Sequence, residues 1–148
     1  MKYTFFLIFI VFITVSSITC SVQKRADQTK MLVGQKWILY ELNGKSISEI
    51  TGLQNQAFIQ FEQNENKVSG NGSCNNFFGT LTLKENQGIQ ISKLGATRMF
   101  CEQMQIEVEL MTTLENTVSY SIANEQLTMI SNEKTKSLRF ELESKTKK

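Results

Sequence analysis

The chain has 148 residues, 41% of them apolar, a formal net charge of +2, and neither histidine nor proline. Without histidine there is no Ser-His or Cys-His catalytic pair and no histidine-ligated metal site. The charge is nearly balanced and basic residues gather only in the tail, at Lys145, Lys147 and Lys148, so there is no electrostatic footprint for nucleic acid.

In chain order, Lys2 precedes an apolar run from Phe5 to Val15, interrupted only by Thr14. Roughly 20 apolar residues are needed to span a bilayer, so this run has the length of a signal-peptide core. Residues 1–19 are therefore expected to be an export signal; the competing reading is an uncleaved anchor. The run ends in Ser16-Ser17-Ile18-Thr19-Cys20, which resembles the lipobox of bacterial lipoproteins. That resemblance implies lipidation of Cys20 and attachment to a membrane. The alternative is ordinary cleavage nearby with Cys20 a plain thiol. Residues 20–33 carry the expected lipidated terminus and a mostly polar tether. Residues 34–142 are one domain's worth of chain, and 143–148 form a basic tail.

Within the domain, residues 35–42 (QKWILYEL) alternate loosely and are aromatic and β-branched, which predicts a strand. Asn43-Gly44 follows, the pair that a type I′ hairpin turn favours, since both residues need positive φ. Residues 57–62 predict a second strand, with Ile59 and Phe61 on one face and Phe58, Gln60 and Glu62 on the other. A turn at Asn64-Glu65-Asn66 leads to a short strand at Lys67-Val68-Ser69. Gly70 to Leu81 (GNGSCNNFFGTL) then combines glycines, asparagines and a cysteine before becoming strand-like. Gly70 and Gly72 permit positive φ and close backbone approach, while Asn71, Asn75 and Asn76 suit turns. No lysine follows at phosphate-loop spacing, so this is read as a tight connection. Asn71-Gly72-Ser73 also matches a glycosylation sequon, by chance.

Phe77 to Leu83 predicts a strand with Phe77, Gly79, Leu81 and Leu83 on one face, and Ile89 to Ser92 another. From Phe100 to Asn116 the period becomes helical. Phe100, Met104, Val108 and Met111 form one stripe, flanked by Ile106, Leu110 and Leu114, with Glu102, Glu107, Glu109 and Glu115 off it. This predicts an amphipathic helix buried along that stripe. Three strands follow, at 118–122, 126–130 and 137–142. The expected fold is α+β: an antiparallel, strongly curved, barrel-like sheet of about seven or eight short strands with one covering α-helix.

Several stretches in this order and spacing resemble the META / heat-shock protein HslJ-like domain. They are Trp37-Ile38-Leu39 with Asn43-Gly44; Ser69-Gly70 leading to Cys74-Asn75-Asn76-Phe77-Phe78-Gly79; Thr97-Arg98-Met99-Phe100-Cys101 with Glu107 on the helix; and Leu127-Thr128-Met129. The likeness covers nearly all of residues 35–142. The family pattern has glycine immediately before the first cysteine, where this chain has Ser73. It often has a basic residue where Asn76 stands and an aromatic where Leu81 stands. The resemblance implies a small β-rich domain with a covering helix, often a membrane-anchored envelope lipoprotein associated with bacterial stress, with no established catalytic activity.

With Cys20 lipidated, Cys74 and Cys101 remain, and an even pair in an exported protein reads as a disulfide. Two buried inert thiols and a redox-active pair are the alternatives. If the pair is joined, Arg98 lies near Asn75 and Asn76. These three are then candidate partner-binding residues, with Arg98 contacting an anion or carboxylate. Equally, Arg98 could be structural, bonding loop carbonyls or pairing with Glu102 or Glu107. No catalytic residue, metal site or cofactor is expected. The functional expectation is a non-enzymatic, stress-related binding module tethered to the bacterial envelope by lipid, its partner an envelope protein or a small apolar ligand. The alternatives are a carrier using the interior of the curled sheet and a thiol–disulfide protein using Cys74 and Cys101.

Overall fold

The computed structural model describes residues 27–63 and 66–144. The expected export signal, Cys20, Asn64 and Glu65 of the expected turn, and Lys145 to Lys148 lie outside the described residues. Residues 27–32 are helical, and the compact unit begins at Met31. Leu32 is wholly buried in it, and its carbonyl accepts a hydrogen bond from the indole Nε1 of Trp37 at 3.1 Å. Among the described residues no helix is long and apolar enough to cross a membrane.

The strands are β1 (Lys36–Leu42), β2 (Lys45–Ser46), β3 (Phe58–Phe61), β4 (Lys67–Asn71), β5 (Asn76–Leu83) and β6 (Ile89–Ala96). After the long helix α1 (Met104–Glu115) come β7 (Thr117–Ala123), β8 (Gln126–Ser131) and β9 (Ser137–Leu142). All pair antiparallel in the order β6-β5-β4-β3-β1-β9-β8-β7, with β2 hairpinned onto β1. Two meanders thus flank the first strand. The sheet curls into a half-barrel whose end strands approach at Gly88 and Ser119, where the Tyr120 N–H donates to the Gln87 carbonyl at 3.0 Å. The helix connects those end strands and packs on β6 and β9. Covering the mouth of the sheet in this way removes much of the open edge that such a strand row otherwise presents.

Period-2 alternation turns Ile59, Phe61, Phe77, Leu81, Leu127 and Phe140 inward, each at most 3% exposed. The loose alternation of β1 has a cause. Leu39 pairs with Phe140 but Glu41 with Arg139, so Tyr40 is an extra residue. The bulge shifts the phase and lets Trp37, Leu39 and Leu42 share the core. The Asn43-Gly44 turn has φ of 49° and 82°, as a type I′ turn requires. Its asparagine does more than turn the chain. Nδ2 donates to Glu109 Oε1 on α1 at 2.6 Å, and Oδ1 accepts from the Ser137 N–H at 3.0 Å.

The helix differs from expectation at its start and in its buried face. It begins at Met104, and it buries Glu107, Leu110, Thr113 and Leu114. Of the expected stripe, Phe100 precedes the helix and is 90% exposed, Val108 is 60% exposed and Met104 half-buried, while Met111 packs partly buried against the core. The apolar count missed the stripe that is buried because two of its positions are polar and satisfied within the protein. Thr113 Oγ1 donates back to the Glu109 carbonyl at 2.8 Å, and Glu107 is engaged by Asn75.

Candidate functional site

One end of the half-barrel gathers the loop from Asn71 to Asn75, the strap of residues 97–103 between β6 and α1, and the first turns of the helix. The loop is built from short-range asparagine chemistry. Asn71 Oδ1 accepts from the Ser73 N–H at 2.9 Å, and the Gly72 N–H donates to the Asn75 carbonyl at 2.8 Å. Positive φ falls on Ser73, at 87°, rather than on Gly70 or Gly72. Those glycines are there for room. A Cβ on Gly72 would stand 2.6 Å from Glu107 Cγ and 2.8 Å from its Oε2, and one on Gly70 would meet the Phe77 ring at 2.5 Å. Asn71 is buried and its Nδ2 donates to Asn76 Oδ1 at 2.9 Å, so the sequon is folded into the loop.

Cys74 and Cys101 are joined by a disulfide with Cα atoms 6.2 Å apart, closing 27 residues of sequence. Both are buried, at 1% and 5% exposure. Gln54, from the loop after the short helix Ile47–Glu49, sets its side-chain amide 3.3 Å from Cys101 Sγ.

Asn75 is the centre of the site and is only 2% exposed. Its backbone N–H donates to Glu107 Oε2 at 2.6 Å, and its Nδ2 donates to Glu107 Oε1 at 2.8 Å and to the Met99 carbonyl at 3.1 Å. Its Oδ1 accepts from Thr97 Oγ1 and from the Met99 N–H, both at 2.7 Å. One amide side chain therefore ties the loop, the helix and the strap together, with both hydrogens and both lone pairs engaged. The Glu107 carboxylate binds the loop in a two-pronged grip, its charge favouring short bonds.

The three candidate partner-binding residues are close in space but differ in access. Asn75 is buried and fully engaged, so no polar atom of it is open to a partner. Asn76 is exposed; its N–H donates to Thr97 Oγ1 at 3.2 Å. Arg98 is exposed and forms no ion pair with Glu102, Glu107 or any other acid among the described residues. Beside it Met99 and Phe100 are 52% and 90% exposed. A cleft of about 330 Å³ separates strap from helix, lined by Asn75, Glu107, Arg98, Met99, Phe100 and Met104. The exposed Met99 and Phe100 were missed because helical spacing assigned Phe100 to a buried stripe. The signal that could have found them is Cys101: a cysteine bonded to the loop holds the residues before it off the helix axis. Among the described residues there is no group of three or more His, Cys, Asp or Glu able to hold a metal. Chemically, the arrangement is a rigid display of a cation and two apolar side chains.

A sequence model of the META domain matches residues 30–145. Among curated proteins, none matches the chain. Among solved structures, the NMR structure of a protein from Burkholderia xenovorans is similar, with TM-score 0.60 at 20% identity, over 79% of this chain and 87% of that one. A second NMR structure has TM-score 0.60 at 24% identity over 77% and 93%. The crystal structure of a DUF4847 family protein from Bacteroides vulgatus has TM-score 0.53 at 14% identity over 76% and 94%. At these identities the likeness concerns the fold.

Proposed function

The chain belongs to the META domain family, and on that basis we propose that it is a non-enzymatic, lipid-anchored protein of the bacterial envelope that binds another envelope protein under stress. The partner contacts the strap at Arg98, Met99 and Phe100, with Asn76 at its rim. One observation carries this reading: an unpaired arginine and two exposed apolar side chains stand on a segment held by a disulfide and by the Asn75 amide. Arginine, aromatic residues and methionine are enriched where protein partners meet, and a pre-ordered segment loses little entropy on binding. The inner face of the sheet is filled by Trp37, Phe61 and Phe140, each below 2% exposed, which weighs against a carrier that uses the interior.

The test has two arms. A photo-crosslinking residue at position 100 in the full chain, expressed in its own envelope, should give a discrete adduct. Arg98→Glu should weaken that adduct, and the same probe at Asn124, in the distant β7–β8 turn, should not give it. Equal labelling at both positions, or none at 100, removes the strap as the contact. Separately, a fatty-acid analogue should label the protein and Cys20→Ala should abolish the label; a labelled Cys20→Ala chain ends the anchor reading.

A further inference from the structure

The helix α1 has a second face that the half-barrel leaves largely uncovered. Met104, Val108, Met111 and Glu115 follow one another at steps of four, three and four residues. That spacing is the narrow seam by which one helix packs along another. Val108 is 60% exposed, Glu115 is exposed, and Met104 and Met111 are half-buried. The core takes Leu110, Leu114 and part of Met111, so the rest of the seam has no partner among the described residues.

The seam ends in opposite charges. Arg98 stands with Met104 and Phe100 in the lining of the strap cleft, and it forms no ion pair among the described residues. At the far end Glu115 is equally unpaired among them. It is the last residue of the helix, where the negative end of the macrodipole disfavours a carboxylate, and no basic residue stands in that turn to offset it. The other acids of the strap and helix are turned elsewhere. Glu107 is buried on the Asn75 amide, and Glu109 accepts from Asn43 at 2.6 Å. Glu102 lies towards Gly52, on which a Cβ would stand 3.5 Å from Glu102 Oε2.

We propose that the strap's partner is a second copy of this chain, docked through an antiparallel pair of α1 helices about a two-fold axis. The proposal rests on the strap reading above and names the partner. Antiparallel helices set Val108 at the axis against its own copy, and Met104 against the partner's Met111. Each Arg98, beside Met104, then meets the partner's Glu115 one turn further on. Each helix C-terminus thereby receives a guanidinium and the positive end of the facing helix. One patch is complementary to itself, which an isologous contact requires and a contact with an unrelated chain does not. A helix of 12 residues makes a short seam, and small interfaces are weak in dilute solution. Copies tethered to one surface meet at a higher effective concentration.

The test uses the full chain in its own envelope, with the photo-crosslinking residue at position 100. The adduct should have twice the mass of the chain, and its peptide map should join position 100 to the second half of the partner's helix. Arg98→Glu and Glu115→Arg should each reduce that adduct severalfold, because each sets like charges together at both ends of the seam. The two substitutions combined restore opposite charges and should recover most of it. Both positions are exposed, so all three variants should fold as the wild type does. An adduct with a chain of different mass overturns self-association and leaves the strap reading standing. No adduct at position 100 removes the strap reading and this proposal with it. A double-mass adduct that is indifferent to the single reversals, or not recovered by the paired one, overturns the antiparallel seam.

Discussion

Asn75 holds its position by chemistry that its closest isostere cannot copy. An aspartate there would keep the shape and the acceptors for Thr97 and Met99, but it would lose the donor to Glu107 and set two carboxylates face to face in a buried site. Asn75→Asp should therefore destabilise the protein by about 3–5 kcal/mol at neutral pH, the scale of an uncompensated buried charge. Asn76→Asp, one residue on, is exposed and keeps its acceptor for Asn71, so its effect should stay within about 0.5 kcal/mol. Urea denaturation of the two variants separates them, and equal midpoints would dismiss the Asn75 knot. Ser73 presents the opposite case. A non-glycine residue in the left-handed region costs roughly 1–2 kcal/mol, partly offset by the lower chain entropy of serine in the unfolded state. Ser73→Gly should be stabilising by up to about 1 kcal/mol in the same measurement, and a loss of more than that would mean the serine side chain has a role of its own. The glycine that the family pattern places before this cysteine has its explanation in the same dihedral.

At the scale of elements, the strands were legible because alternation is a local signal that the core rewards directly. The inward faces of residues 57–62 and 77–83 follow from their own sequences. The bulges at Tyr40 and at Lys93, where Phe78 pairs with Gly95 but Thr80 with Ser92, left only a break of phase, Ile89 and Ile91 giving way to Leu94, which alternation alone does not interpret. The helix misled for a different reason. Its buried stripe runs through Glu107, Leu110 and Leu114, and a carboxylate enters a core only when a distant loop supplies donors. No local pattern contains the Asn75 amide. Truncation distinguishes the two assignments of the helix. If the Phe100–Met104–Val108 face were the core, Phe100→Ser and Val108→Ser would each cost several kcal/mol. The structure instead requires both to stay within about 0.5 kcal/mol, while Leu110→Ala, 1% exposed, costs about 2–5 kcal/mol. Thermal melts of the three variants decide it; a collapse of either serine variant would return the face to the core.

For the molecule as a whole, the disulfide links the entrance of β5 to the strap ahead of α1 and so encloses β5 and β6, one flank of the half-barrel. Closing 27 residues removes conformations from the unfolded chain worth roughly 3.5 kcal/mol. Small domains hold about 5–15 kcal/mol in total, so the bond is a large share of the margin without being all of it. The sheet ladder and the Asn75–Glu107 grip do not depend on it. The Cys74→Ser/Cys101→Ser chain should consequently still fold, with its melting temperature lowered on the order of 10–15 °C. Its weakness should be local. Arg98 is exposed in the intact protein, yet the strap around it is held by the bonds from Asn75 and by the disulfide three residues on. Loss of the disulfide leaves only the first, so trypsin should cleave after Arg98 many times faster in the double-serine chain than in the oxidised wild type, with cleavage elsewhere in β1 to β5 little changed. A uniform rise in cleavage along the chain would show that the bond supports global stability alone. Unchanged cleavage at Arg98 would show that Asn75 holds the strap unaided.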